Sequence, residues 1–143
     1  MRRLFLEGVA QHLAAAGVGV WRPSGSYPPG EAGIVVAARP QEPGDVISLS
    51  AYGVDDDPSL SDSVLGLQVW CRRAGAHPGP VAETADAVFD VLHGTTHLAL
   101  VGGVHVVQCL RRSQVSGGQD GNGRWSDIQN FYATVHYPST HRL

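Results

Sequence analysis

The hydrophobic pattern changes period along the chain, and each change marks an element. From Ser63 the residues run Ser-Val-Leu-Gly-Leu-Gln-Val-Trp-Cys-Arg. Leu65, Leu67, Val69 and Cys71 fall on one side, with Val64, Gly66, Gln68, Trp70 and Arg72 on the other. That alternation predicts a strand covering a core. After a turn over 74–79, Val81, Ala85, Val88, Phe89 and Leu92 recur at helical spacing, and Glu83, Asp86 and Asp90 occupy the opposite side. Pro80 suits the first helical position because it has no N–H to leave unpaired. Gly94 supplies a left-handed stop.

The same reading extends to both ends. Leu6, Val9, Ala10 and Leu13 predict a first helix over 4–16, closed by Gly17, followed by a short strand over 18–21. Residues 22–30 hold three prolines and two glycines, which predicts a surface loop, with Tyr27 read as a lid over the sheet in preference to a contact residue. The apolar run 34–38 and the alternating run 46–52 predict a hairpin around Pro40 and Glu42-Pro43-Gly44-Asp45. Asp55, Asp56 and Asp57 read as a solvated acidic turn. Segments 98–101 and 104–110 flank Gly102-Gly103, a two-residue hairpin signal, with Arg111-Arg112 expected to end the second strand. Residues 113–124 are polar and glycine-rich, and predict a long loop, mobile in the free subunit. A last strand runs over 125–137.

Strands with one greasy face beside helices with one greasy stripe give an α+β class. The expected architecture is a mixed, mostly antiparallel β-sheet with two helices packed on one face, in a single domain over 1–143. The expected core contains Leu65, Leu67, Val69, Val88, Phe89, Leu92, Val106, Phe131 and Val135.

Composition narrows what such a domain does. With 143 residues there is length for a sizeable core. A net charge of −3 argues against a broad basic footprint for nucleic acid. No apolar run approaches the roughly 20 residues that span a bilayer. Glu7, Gln11 and His12 interrupt the apolar N-terminal segment, so the expectation is a protein kept in the cytoplasm where it is made, not a secreted one. Cys71 and Cys109 read as small buried hydrophobes. All ten basic side chains are arginine, which reads as codon bias of a GC-rich genome. The seven histidines lack ligand spacing, since Gly94 breaks the helical register between His93 and His97. The glycine-rich stretch 117–123 lacks Gly-Lys-Ser/Thr and precedes a strand, unlike a phosphate cradle. No catalytic residue, metal site or cofactor is expected, and function is expected to reside in surfaces.

Four segments in order carry a resemblance. They are Leu-Glu-Gly-Val-Ala-Gln-His-Leu-Ala-Ala-Ala-Gly-Val-Gly-Val-Trp-Arg-Pro, Asp-Asp-Pro-Ser-Leu-Ser-Asp-Ser-Val-Leu-Gly-Leu-Gln-Val-Trp, Ala-Asp-Ala-Val-Phe-Asp-Val-Leu-His-Gly, and Gly-Gln-Asp-Gly-Asn-Gly-Arg-Trp through Phe-Tyr-Ala-Thr-Val-His-Tyr-Pro. Together, over about 6–138, they resemble the minor capsid or tail terminator proteins of long-tailed bacteriophages. The resemblance implies a structural virion protein of the neck, assembled in the bacterial host cytoplasm. It implies a homo-oligomeric ring of six copies that caps the tail tube, contacts the tail tube protein and head connector proteins, and lets DNA pass without sequence-specific binding or any membrane contact. Candidate contact residues come from this chain's own loops and strand ends: Tyr27, Arg72, Arg73, Arg111, Arg112, Gln119, Asp120, Asn122, Arg124 and Trp125. Asp55, Asp56 and Asp57 are candidates for the lumen or rim. The alternatives are another neck component, a head-completion or connector protein, or a small hydrolase or ligand-binding module using the cleft beside the proline-rich loop.

Overall fold

A computed structural model describes residues 1–23 and 26–142; Ser24 and Gly25 of the proline-rich loop, and Leu143, lie outside the described residues. The elements are α1 (Arg2–Ala15), β1 (Val20–Trp21), β2 (Gly33–Val36), β3 (Val46–Asp55), β4 (Asp62–Ala74), α2 (Gly79–Leu92), β5 (Thr95–Ala99), β6 (His105–Gln119) and β7 (Arg124–His136). The strands form one seven-stranded sheet in the order β1-β2-β3-β4-β7-β6-β5. The class is α+β, with a mixed and mostly antiparallel sheet. Both helices pack on one face, against a single cluster that runs from Phe5 and Leu13 through Leu67, Val69 and Val88 to Phe131 and Val135.

Gly17 and Gly94 end the two helices at φ of 83° and 84°, the left-handed conformation that costs glycine least. Gly8 stands inside α1 for a different reason. A Cβ there would lie 2.8 Å from the Leu100 Cβ, so glycine lets the helix sit against the β5–β6 connection. α2 begins at Gly79, which makes Pro80 its second residue and not its first. Val81, Ala85, Val88 and Leu92 are buried as their spacing predicts, and Cys71 and Cys109 are buried free thiols. Burial pushes both thiols up to about 12, so they are un-ionised at neutral pH.

Four expectations need correction. β2 and β3 are not a hairpin: they pair in parallel, Gly33 with Val46 and Val36 with Leu49. The prolines and glycine of 37–45 imitate a hairpin turn, but the segment instead crosses the helix-free face of the sheet. There Arg72 donates to the carbonyl oxygens of Gly44 at 2.9 Å and Pro43 at 2.9 Å. Residues 113–124 are not a long loop. β6 pairs with β7 from Val106↔Val135 out to Gln119↔Trp125, leaving only 120–123 as the turn. The glycines do not free this segment because each ladder hydrogen bond is made by backbone, and bulges between Arg111/Ser113 and Ser116/Gly118 absorb the irregular spacing. Arg111-Arg112 therefore sit within β6 and do not end it. Finally, Phe89 is only half-buried, and polar Thr84 is buried beside Val81, Ala85 and Val88 on the packed face of α2.

Candidate docking surfaces

The antiparallel ladder places the expected contact residues, apart from Arg111 and Arg112 in its middle, at two opposite ends of the sheet. β7, 13 residues long, connects them, a span of about 40 Å at ~3.3 Å per residue. At one end is the β6–β7 turn. Asp120 accepts hydrogen bonds from the backbone N–H groups of Asn122 at 2.9 Å and Arg124 at 3.0 Å, and pairs with the Arg124 guanidinium at 2.9 Å. The Arg124 backbone bond, with these partners, holds the Asp120 carboxyl below its usual range. Gln119, Asp120 and Asn122 remain exposed at the tip.

Arg124 and Arg72 belong to the interior of this end. Arg124 is buried and donates to the Gln41 carbonyl oxygen at 2.7 Å. Arg72 is 4% exposed, and burial, then the nearby Arg124 charge, lowers its pKa from the ordinary arginine value. Both tie the 37–45 crossover to the sheet. Arg73 reaches Thr84 Oγ1 at 2.9 Å and lies 3.4 Å from Asp45, long for a hydrogen bond. Trp125 donates from its indole to the Gly75 carbonyl oxygen at 3.1 Å. Tyr27 is the lid its sequence suggested. Its ring stands against Gly33, where a Cβ would lie 2.9 Å from ring carbons, and its hydroxyl donates to the Ile34 carbonyl oxygen at 2.9 Å. Arg22 and Glu31 pair beside it.

The other end carries Asp55, Asp56 and Asp57, all exposed. The turn is not merely solvated. Asp56 accepts from Ser63 Oγ at 2.6 Å, and Asp57 accepts from Ser59 Oγ at 2.7 Å and its N–H at 2.9 Å. Those bonds from Ser59 hold the Asp57 carboxyl below its usual range. From beneath, Arg142 donates to the carbonyl oxygens of Asp57, Leu60, Asp62 and Tyr137 at 2.6–3.0 Å, and to Ser63 Oγ at 2.5 Å. Nothing in the periodicity of the short tail marked Arg142.

Between the ends lies the helix-free face of β3, β4, β7 and β6. Tyr52 lies flat over Gly66, and its hydroxyl is 3.2 Å from Asn130 Oδ1. Arg39 stacks over Trp70 with its guanidinium 4.8 Å from the ring centre and donates to Gln68 Oε1 at 2.8 Å. Arg112 lies over Tyr132 at 5.2 Å. Arg111 points the other way, toward α2, and donates to Gln129 Oε1 at 3.2 Å.

The clefts are shallow. One of about 410 Å³ opens beside the acidic turn, lined by Arg2, Asp56, Tyr137 and Arg142 among others. Two clefts flank the proline-rich loop: one of about 280 Å³ lined by Tyr27, Glu31, Glu42 and Asp45 with prolines, glycines and Ala74, and one of about 320 Å³ lined by Ser26, Tyr27, Val35, Pro40, Glu42 and Pro43. Neither is lined by a histidine among the described residues, so neither sets a serine beside an imidazole base. No helix among the described residues is long and apolar enough to cross a membrane.

The fold has a counterpart among solved structures. It superposes with a TM-score of 0.62 on a chain of the solved structure "Virion of native gene transfer agent (GTA) particle", at 19% identity over 91% of this chain and 92% of that one. The bacteriophage tail terminator protein family model matches residues 12–137, and the chain belongs to that family. It is a structural component of a phage-type virion. No curated protein matches it.

Proposed function

We propose that this chain, as one domain over its whole length, terminates a phage tail. Six copies close into a ring that caps the tail tube, stops its growth and joins it to the head connector, with no catalysis or cofactor of its own and no membrane. Assembly takes place in the bacterial host cytoplasm. The observation that supports this reading is the span of the family match, which takes in the hairpin tip, the acidic turn and the whole sheet between them. Two docking ends about 40 Å apart suit a ring held between a tube and a connector.

DNA passing through such a ring must not be held. With −3 per copy, six copies carry about −18, and a lumen or rim bearing Asp55, Asp56 and Asp57 repels the phosphate backbone. Tip residues Gln119, Asp120 and Asn122, with Trp125 and the Tyr27 lid near them, contact the adjoining ring at the other end. Arg73, Arg111 and Arg112 remain contact residues in this reading, whereas Arg72 and Arg124 support the contacts from inside the subunit. The test is a particle-producing strain lacking this protein. Unjoined heads and tails of irregular length are the expected outcome. Joined, infectious particles with normal tails would replace this reading with that of another neck component.

A further inference from the structure

We propose that the subunits meet face to back: the acidic stripe of α2 on one copy docks on the helix-free sheet face of the next, against Arg39 and Arg112. This rests on the ring reading and specifies which surfaces build it. Glu83, Asp86 and Asp90 recur at i, i+3 and i+7 along α2, and all three are exposed. They form one line of negative charge about 10 Å long at ~1.5 Å per residue. Exposed Ala82 lies beside them and lets a partner approach closely.

The opposite layer of the subunit is complementary. Arg39 and Arg112 stand over Trp70 and Tyr132, with Tyr52 between them and exposed Val115 near the edge. Arginine and aromatic side chains are the residue types that carry most binding energy at protein interfaces. Arg39 is anchored at Gln68, which pairs with Asn130, and Arg112 over Tyr132, two residues further along β7. Their heads are therefore on the order of 10 Å apart, given ~4.8 Å between strands and ~3.3 Å per residue. That matches the acidic stripe.

Among the described residues, none of these five charged groups has an ion-pair partner; the pairs that exist are Arg22–Glu31, Arg73–Asp45, Arg124–Asp120 and His136–Asp62. The two patches lie on opposite layers of the sandwich. A patch that meets a different patch on the next copy builds a head-to-tail contact, which excludes a two-fold dimer and makes a ring when the rotation between copies closes. The alternative occupant of the sheet face, DNA, is disfavoured because Arg39 and Arg112 would grip a passing phosphate backbone.

The experiment uses two full-length variants. One carries E83K, D86K and D90K, and the other R39E and R112E. Each alone opposes like charges across the contact, and should lose at least about tenfold in association. Mixed, each variant presents to the other the charge it lacks, and an alternating ring should re-form with the wild-type mass. Native mass spectrometry of free protein and of protein recovered on tails reads the outcome, with thermal melts confirming that both variants are folded. If either variant misfolds, E83Q/D90N and R39Q, which weaken the contact without reversing it, are compared in its place. Rings formed equally by each variant alone would overturn this contact and leave the ring reading standing. Wild-type protein that stays monomeric both free and on tails would overturn both.

Discussion

The Arg111 guanidinium lies 4.1 Å from the centre of the Phe89 ring, and the His93 ring stacks on the same phenyl group at 4.6 Å and 17°. His93 Nδ1 also accepts the Arg111 backbone N–H at 3.0 Å. A residue placed by helical spacing in the apolar core is thus half-exposed, and serves as a platform joining α2 to β6.

The substitution Phe89→Ala should therefore cost less than removal of a core ring. Partial burial plus an exposed cation–π contact is worth about 1–2 kcal/mol. Phe131, with 0% exposure, should cost about 3–5 kcal/mol as Phe131→Ala. Urea melts of both variants check the order. Equal losses would mean that Phe89 is as buried as its period suggested.

Gly66 is required by Tyr52. A Cβ at Gly66 would lie 2.1 Å from Tyr52 Cζ, so Gly66→Ala must lift the ring from the sheet and break its contact with Asn130. Burial, with the nearby Tyr132, raises the Tyr52 phenol above its ordinary pKa. Once lifted, it should titrate closer to a free tyrosine. Ultraviolet titration of wild type and variant would show the shift downward; an unchanged profile would mean the ring had room to stay.

The core face of the sheet was legible because alternation records burial directly. Leu65, Leu67, Val69, Phe131 and Val135 are all buried where their period placed them. Connections were less legible. Pro40, Pro43 and Gly44 indicate a turn, but only the distant Arg72 decides that the chain crosses the sheet and returns parallel. Glycines in β6 suggested a loop because sequence shows flexibility and not the partner strand. The open face was half legible: Trp70 and Gln68 were assigned to it, whereas Arg39 and Arg112 reach it from a loop and a bulge that no period describes.

Asp127 gives a pH signature. It is buried beside Cys71 in the ladder; Oδ2 accepts from Gln114 at 2.7 Å while Oδ1 has no partner. Burial raises its pKa above the ordinary aspartate value. The unfolded chain then releases this proton at lower pH than the folded one, so its ionisation destabilises the fold as pH rises from the unfolded value of 3.8 through the raised folded value. Asp57 and Asp120, held low, act in the opposite sense. The measurement is therefore a comparison: stability of wild type relative to Asp127→Asn should fall as pH rises across that window. A pH-independent difference would mean that Asp127 is better solvated than its burial implies.

Arg142 offers the sharpest test of how the acidic end is held. Its guanidinium serves five acceptors from the 57–63 segment and Tyr137, and its flat fork suits that spread of oxygens. A lysine would bring a point charge with three donors and could not span them. Both Arg142→Ala and Arg142→Lys should therefore loosen the turn. The amides of Ser59, Leu60 and Tyr137, bonded to Asp57 Oδ1, the Asp57 carbonyl and the Ser61 carbonyl, report on it. Their hydrogen exchange should accelerate about tenfold in either variant, the equivalent of roughly 1.4 kcal/mol of local stability. Amides of β4 and β7 in the centre of the sheet should keep wild-type protection, because the turn opens without unfolding the core. Unchanged exchange at Ser59 and Leu60 would mean that Asp57 and Ser59 hold the turn by themselves, and that the acids at this end owe their positions to local bonds alone.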